Sequence, residues 1–188
     1  MEVARGLFAQ HGYEATSVRQ ITTKAKANLG AITYHFGSKE ALYHAVIATC
    51  TEPLAEKVAK VGASHAKPLE VIEGVIRTFF EHAQDQAEFP KLIQRELSSG
   101  RPMPPPAQRA IQSNFRVIAD AVRAGQKDGS IRPGDPILLV LSVMAQPFHF
   151  MVAGRVILLA SGTDMHDPTT RARVVDHVVT TVRRALAA

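Results

Sequence analysis

Residues 16–42, TSVRQITTKAKANLGAITYHFGSKEAL, constrain the fold more than any other stretch of the chain. Apolar residues recur there at helical spacing: Val18, Ile21 and Ala25 share one face of a short helix, while Arg19, Gln20 and Thr23 point outward. Ser17 precedes this helix and Gln20 follows three residues later, the capping-box pattern that marks a helix start. Asn28 is placed to cap a second helix. Ile32 and Phe36 turn inward on it, and Gly30, Ala31, Thr33, Tyr34 and His35 occupy its outer and flanking surface. These outer residues are small or are hydrogen-bond donors. Small residues let a helix lie close to base edges, and donors hold phosphates. The segment reads as a helix-turn-helix.

The remainder reads as helices with no convincing hairpin. A first helix over about residues 3–10 ends at Gly12. A fourth begins after Ser38, carries Leu42, Val46 and Cys50 on one face, and runs to Pro53 or past it with a kink. After a polar break at 62–67, Pro68 opens a helix with an apolar stripe of Leu69, Ile72, Ile76, Phe79 and Ala83. Pro90 opens a shorter helix, and the proline-rich stretch 98–106 is expected to be a loop. Ile111, Phe115, Ile118 and Val122 then repeat at helical spacing. In the connector 125–136, Gly129 is a left-handed stop, Asp135 an N-cap and Pro136 a first helical residue. Residues 137–160 form a long apolar helix that Pro147 should kink. The last helix, from Asp167 to Leu186, carries a broad stripe of Val174, Val175, Val178, Val182 and Leu186.

A chain of 188 residues with 46% hydrophobic residues supports a packed core, as one domain or two small ones sharing an interface. The net charge of +5 is uneven, and its basic excess lies mostly beyond residue 100 rather than on the helix-turn-helix. The motif, not the charge, therefore points to nucleic acid. The single cysteine, Cys50, excludes an internal disulfide framework and predicts a reducing cytoplasm. No basic start followed by an apolar run and a small-residue cleavage site is present in the first residues, and a secretion signal is not expected. Gln146, Pro147, His149 and Arg155 interrupt the apolar stretch 137–160, so no membrane span is expected. No two histidines stand at H-x-x-x-H spacing and Cys50 has no ligand neighbour, so neither metal nor cofactor is expected. No nucleophile elbow, phosphate loop or paired carboxylates appear, and the chain is expected not to be an enzyme.

Gly12-Tyr13, Thr16, Arg19, Ile21, Ala25, Gly30, Tyr34-His35-Phe36 and Lys39 together resemble the DNA-binding domain of TetR-family transcriptional regulators. About ten positions over roughly the first quarter of the chain agree in order and spacing. Three depart from the pattern: Lys26 stands where the turn normally has Gly, Ala27 where a larger aliphatic is usual, and Thr33 where an aromatic is common. A Lys in a left-handed conformation costs on the order of 1 kcal/mol. Such domains usually carry a longer basic arm; here only five residues precede Gly6 and the apolar pair Leu7-Phe8, which predicts a natural start further upstream.

The resemblance implies an all-α protein of about nine helices: a three-helix reading head over 1–46 and a ligand-binding and dimerisation body over 47–188. It implies DNA contacts from Thr16, Ser17, Arg19, Leu29, Gly30, Ala31, Thr33, Tyr34, His35 and Lys39. Arg19 would reach a base edge or a phosphate, His35 and Lys39 would hold phosphates, and Leu29 either packs inward or touches a thymine methyl. The connector 125–136 also resembles one in the ligand-binding halves of such proteins. The dimer contact falls on the last two helices, with Phe150, Val174, Val178 and Val182 as candidates. The effector pocket falls among the middle helices, with Phe79, Phe80, Ile93, Phe115 and Met144 as candidates and His149 or Arg95 as the orienting polar group. The expected function is a repressor, cytoplasmic and nucleoid-associated, whose homodimer leaves a palindromic double-stranded operator when a small apolar or aromatic effector binds. An activator of the same fold, or an interaction module that has lost DNA binding, are the alternatives.

Overall fold

A computed structural model describes residues 1–188, apart from the side chain of Ala31. It consists of α1 (Glu2–His11), α2 (Val18–Ala25), α3 (Gly30–Phe36), α4 (Lys39–Gly62), α5 (Pro68–Asp85), α6 (Phe89–Ser98), α7 (Pro105–Asp128), α8 (Pro136–Val152), α9 (Gly154–Ser161) and α10 (Pro168–Leu186). The all-α expectation holds. Among the described residues the one extended pairing is an isolated bridge between Ile131 and Ala187.

Helix starts follow the local chemistry of the sequence. Asp135 accepts a hydrogen bond from the Ile137 amide at 2.8 Å, and Asp167 one from Thr170 at 2.6 Å. Each is followed by a proline in the first turn, where no backbone donor is needed. The bond from Thr170 holds the Asp167 carboxyl below its ordinary range. The same logic corrects one boundary: Pro105 and Pro106 lie in the first turn of α7 rather than in the preceding loop.

The long apolar stretch is also corrected. Helix α8 continues through Pro147, whose ring is buried, and the chain breaks instead at Ala153, where ψ of 12° leaves the helical range. Helices α8 and α9 meet at 76°, which makes ten helices instead of about nine. No single helix among the described residues is long and apolar enough to cross a membrane.

The chain divides into two compact units, Met1–Pro53 with Gln86–Ala110, and Leu54–Asp85 with Ile111–Ala188. In the first, α1 packs on α2 and α6, and α2 on α3, over a core that includes Phe8, Leu42, Val46, Ile47 and Leu92. In the second, α5, α8 and α10 pack on one another. The stripe on α10 is part of that core: Val178 is 0% and Val182 3% exposed. Both were expected at a dimer contact and are instead covered by their own chain, because a stripe this broad serves the subunit's core first. Phe150 and Val174 are half-buried.

The surface apolar residues of this unit lie elsewhere. Ile137, Leu138 and Leu141 of α8 are more than half exposed. No residue of α9 is buried, and its Leu159 is 89% exposed.

The connector between α7 and α8 is tied to the end of α10. The Arg132 amide donates to Leu186 O at 2.8 Å, its Nε to Ala185 O at 2.7 Å, and the Ile131 amide to Gly125 O at 2.9 Å. This turn brings Ile131 so close that a Cβ on Gly125 would lie 2.5 Å from its side chain. Gly125→Ala should therefore destabilise the protein by about 1–3 kcal/mol through overpacking. A urea midpoint unchanged from wild type would show that the turn relaxes freely.

Candidate nucleic-acid interface

The reading surface begins with the capping box. The Ser17 amide donates to Gln20 Oε1 at 2.7 Å, and the Gln20 amide donates to Ser17 Oγ at 3.2 Å, which fixes the start of α2. Helix α2 ends at Lys26, with φ 52° and ψ 40°, the one non-glycine residue with positive φ among the described residues. The Ala27 amide then donates to Thr22 O at 2.9 Å, closing the helix by a left-handed stop. Asn28 Oδ1 accepts from the Gly30 amide at 2.9 Å and starts α3. Ile21 and Ile32 are buried, Val18 and Phe36 are half-buried, and Ala25, expected to face inward, is exposed.

Packing of α2 on α3 brings most of the expected DNA-facing residues onto one pair of helices. Ser17, Arg19, Leu29, Gly30, Thr33, Tyr34 and His35 are all exposed, and Leu29 thus does not pack inward. Tyr34 is 85% exposed, with the His35 ring edge-on to it at 5.0 Å. The side chain of Ala31 lies outside the described residues. Thr16 is corrected: it is 1% exposed, and its hydroxyl donates to Gly12 O at 2.7 Å and Leu7 O at 3.3 Å. A motif position shows that a residue matters, not whether its side chain faces in or out. Thr16 ties the turn before α2 to the end of α1.

Lys39, at the start of α4, rests its ammonium 4.1 Å from the centre of the Tyr13 ring. The guanidinium of Arg101 lies over the same ring at 3.7 Å. Arg101 also pairs with Glu14 at 3.6 Å and with Glu40 at 3.8 Å. Nothing local in the sequence marks Arg101, which belongs to the loop after α6. Three further contacts join the segment Gln86–Ala110 to the first helices. Tyr43 donates its hydroxyl to the Glu96 carboxylate, Arg95 donates to Gln10 O at 2.6 Å, and Arg5 donates to Gln86 at 3.0 Å. Burial above all, then Glu96, pushes the Tyr43 hydroxyl far above its ordinary pKa.

The expected effector residues are not gathered in one place. Ile93 and Arg95 belong to the first unit, and Arg95 is exposed and engaged with Gln10 O. Helix α6 lies between body helices in sequence but folds onto α1. His149 is exposed on α8. Phe79, Phe115 and Met144 are half-buried in the second unit. Phe80 lines an open cleft of about 290 Å³ with Arg77, Arg171 and Val175. Among the described residues no group of three or more His, Cys, Asp or Glu is arranged to hold a metal. Burial raises the Cys50 thiol above its ordinary pKa.

Comparison with known proteins matches residues 1–46 to "Bacterial regulatory proteins, tetR family" and residues 68–182 to "Tetracyclin repressor-like, C-terminal domain". The HTH-type transcriptional repressor AcnR of Corynebacterium efficiens is 29% identical over 189 residues, covering 98% of this chain and 90% of that protein. The HTH-type transcriptional regulator RutR of Escherichia coli is 25% identical over 182 residues, covering 95% and 84%. Among solved structures, the ketosteroid transcriptional regulator KstR2 of Mycobacterium tuberculosis superposes with a TM-score of 0.76 at 22% identity, covering 100% of this chain and 92% of that one. A putative fatty acid metabolism regulator of Clostridium perfringens gives 0.81 at 22%, covering 100% and 97%.

The left-handed Lys26 makes a stability prediction for the reading surface. Lys26→Gly should relieve the contact between Cβ and the backbone and stabilise the protein by up to about 1 kcal/mol. Loss of stability in a thermal or urea melt would show that the lysine side chain contributes packing that outweighs the strain.

Proposed function

The chain belongs to the TetR family of bacterial regulatory proteins and is a DNA-binding transcriptional regulator, and from that premise we propose that it acts as a homodimeric repressor. Residues 1–46 are the reading head and 47–188 the dimerisation and effector body. The observation that carries the reading is the outer surface of α2 and α3, where Arg19, Leu29, Gly30, Thr33, Tyr34 and His35 are all exposed. Gly30 presents no side chain and lets α3 approach base edges. Leu29 offers an apolar contact to a thymine methyl, Arg19 reaches a guanine or a phosphate, and Tyr34, His35 and Lys39 supply phosphate contacts. The repressor assignment draws on AcnR, which carries that name. Such a protein works in the cytoplasm, associated with the nucleoid when bound.

Dimerisation has a physical motive, because one small head meets too few bases for useful specificity. Two heads related by a two-fold axis read a palindrome from one side of the duplex. Ile137, Leu138 and Leu141 stand on one face of α8, and these residues and the exposed apolar residues of α9 are the candidates for a second copy to cover. Effector binding is assigned to the second unit, with Phe80 in its open cleft and the half-buried Phe79, Phe115 and Met144 as further candidates to meet a small apolar or aromatic molecule. Release then requires the effector to prefer a conformation unsuited to the operator, typically by about 1–3 kcal/mol.

The test begins with a duplex that the wild-type protein selects from a randomised pool. Arg19→Ala should weaken binding to it by about 1–3 kcal/mol and relax preference at one position per half-site if the contact is bidentate to guanine. Lys39→Ala should weaken binding to selected and random duplexes alike and make the salt dependence shallower. Wild-type affinity in both variants would show that Arg19 and Lys39 do not make these contacts, and failure to select any sequence would favour an interaction module over a DNA reader. For the dimer, Leu138→Glu with Leu141→Glu should give monomers in light scattering at micromolar concentration, since each places a charge in an apolar seam. A dimer that survives both changes places its interface elsewhere.

A further inference from the structure

Two carboxylates lie beside the proposed phosphate contacts. Glu14 precedes the capping residue Ser17 by three positions, and Glu40 is the direct neighbour of Lys39. Both are exposed, and unpaired they would repel the phosphates that Lys39 attracts. Arg101 pairs with both, at 3.6 and 3.8 Å, while its guanidinium lies over the Tyr13 ring on which the Lys39 ammonium also rests. Its side chain is about three-quarters covered, and the buried Tyr43–Glu96 hydrogen bond and the Arg95–Gln10 bond hold α6, the helix leading into the Arg101 loop, against α4 and α1. The cation is therefore brought to these carboxylates by a strap anchored at several points, not by a free surface side chain.

We propose that Arg101 is a positioning residue for DNA binding, which holds Glu14 and Glu40 away from the Lys39 ammonium and keeps the Tyr13 ring under Lys39 without itself touching the duplex. The inference rests on the assignment of Lys39 to phosphate. Without Arg101 the two carboxylates are free to pair with the Lys39 ammonium and withdraw it from phosphate, so their own substitution matters most when Arg101 is missing. This is a non-additivity, and a mutant cycle reads it directly.

The experiment measures affinity of the full-length protein for the duplex selected by wild type and for a random duplex of equal length, at two salt concentrations. Arg101→Met should weaken binding to both by about tenfold, more at low salt, because two carboxylates lose their partner and compete with the phosphates for Lys39. Arg101→Lys, which keeps a cation for both carboxylates and the ring, should retain most of the affinity. Glu14→Gln with Glu40→Gln should raise wild-type affinity by a small factor and that of Arg101→Met by a clearly larger one, restoring most of what Arg101→Met loses. If those two changes raise affinity by the same factor with and without Arg101→Met, Arg101 acts independently, as a direct phosphate contact, and the proposal falls. If Arg101→Met fails to fold, the lysine variant decides: a loss equal to that of an unrelated destabilised variant makes Arg101 merely structural. Lys39→Ala separates the two readings. Should it bind as wild type, the phosphate assignment itself is wrong; should it weaken binding while Arg101→Met does not, only the role given to Arg101 is.

Discussion

A helix of seven residues is too short to hold itself in water, since nucleation consumes most of what its few hydrogen bonds return. Helix α3 is such a helix, and it carries Gly30, Thr33, Tyr34 and His35. Its geometry therefore depends on what surrounds it. Asn28 fixes its first turn, Ile32 anchors it in the core, and α2 sets its angle through the left-handed stop at Lys26. A small exposed helix of this kind keeps a fixed outer surface only because a larger scaffold holds it in place.

That scaffold is not confined to the opening residues. The segment Gln86–Ala110 returns to the first helices and fastens them with polar contacts that are costly to misplace. A buried carboxylate such as Glu96 is tolerable because the Tyr43 hydroxyl meets it, and the burial of that pair makes the fit of α6 on α4 specific. Helix α4 is continuous from Lys39 to Gly62, so residues of both compact units stand on one helix.

In the second unit the apolar residues of α10 are used internally, against α5 and α8. The surplus apolar surface is left to α8 and to α9, none of whose residues is buried. A single chain with these helices satisfies its core and still shows a face that water covers poorly. The distinction between the two faces is energetic, because the core stripe is shielded within the chain whereas the outer face is open to water.

Local chemistry was legible in the sequence wherever one short stretch decides the outcome. The capping box at Ser17 and Gln20, the cap at Asn28, the left-handed turn at Lys26 and the Asp-Pro starts of α8 and α10 all involve neighbours within a few residues. Their spacing alone determined an all-α chain with a helix-turn-helix near its start, and the outward position of Arg19, Tyr34 and His35. Tertiary structure decided what periodicity leaves open. It turned Thr16 inward, buried Val178 and Val182 within their own subunit, and moved the break in the long apolar stretch from Pro147 to Ala153. It folded α6, with Ile93 and Arg95, onto α1 and brought Arg101 to Tyr13, Glu14 and Glu40. Spacing along a helix tells which residues share a face; which partner covers that face depends on contacts between residues far apart in sequence, and only the folded chain brings those together.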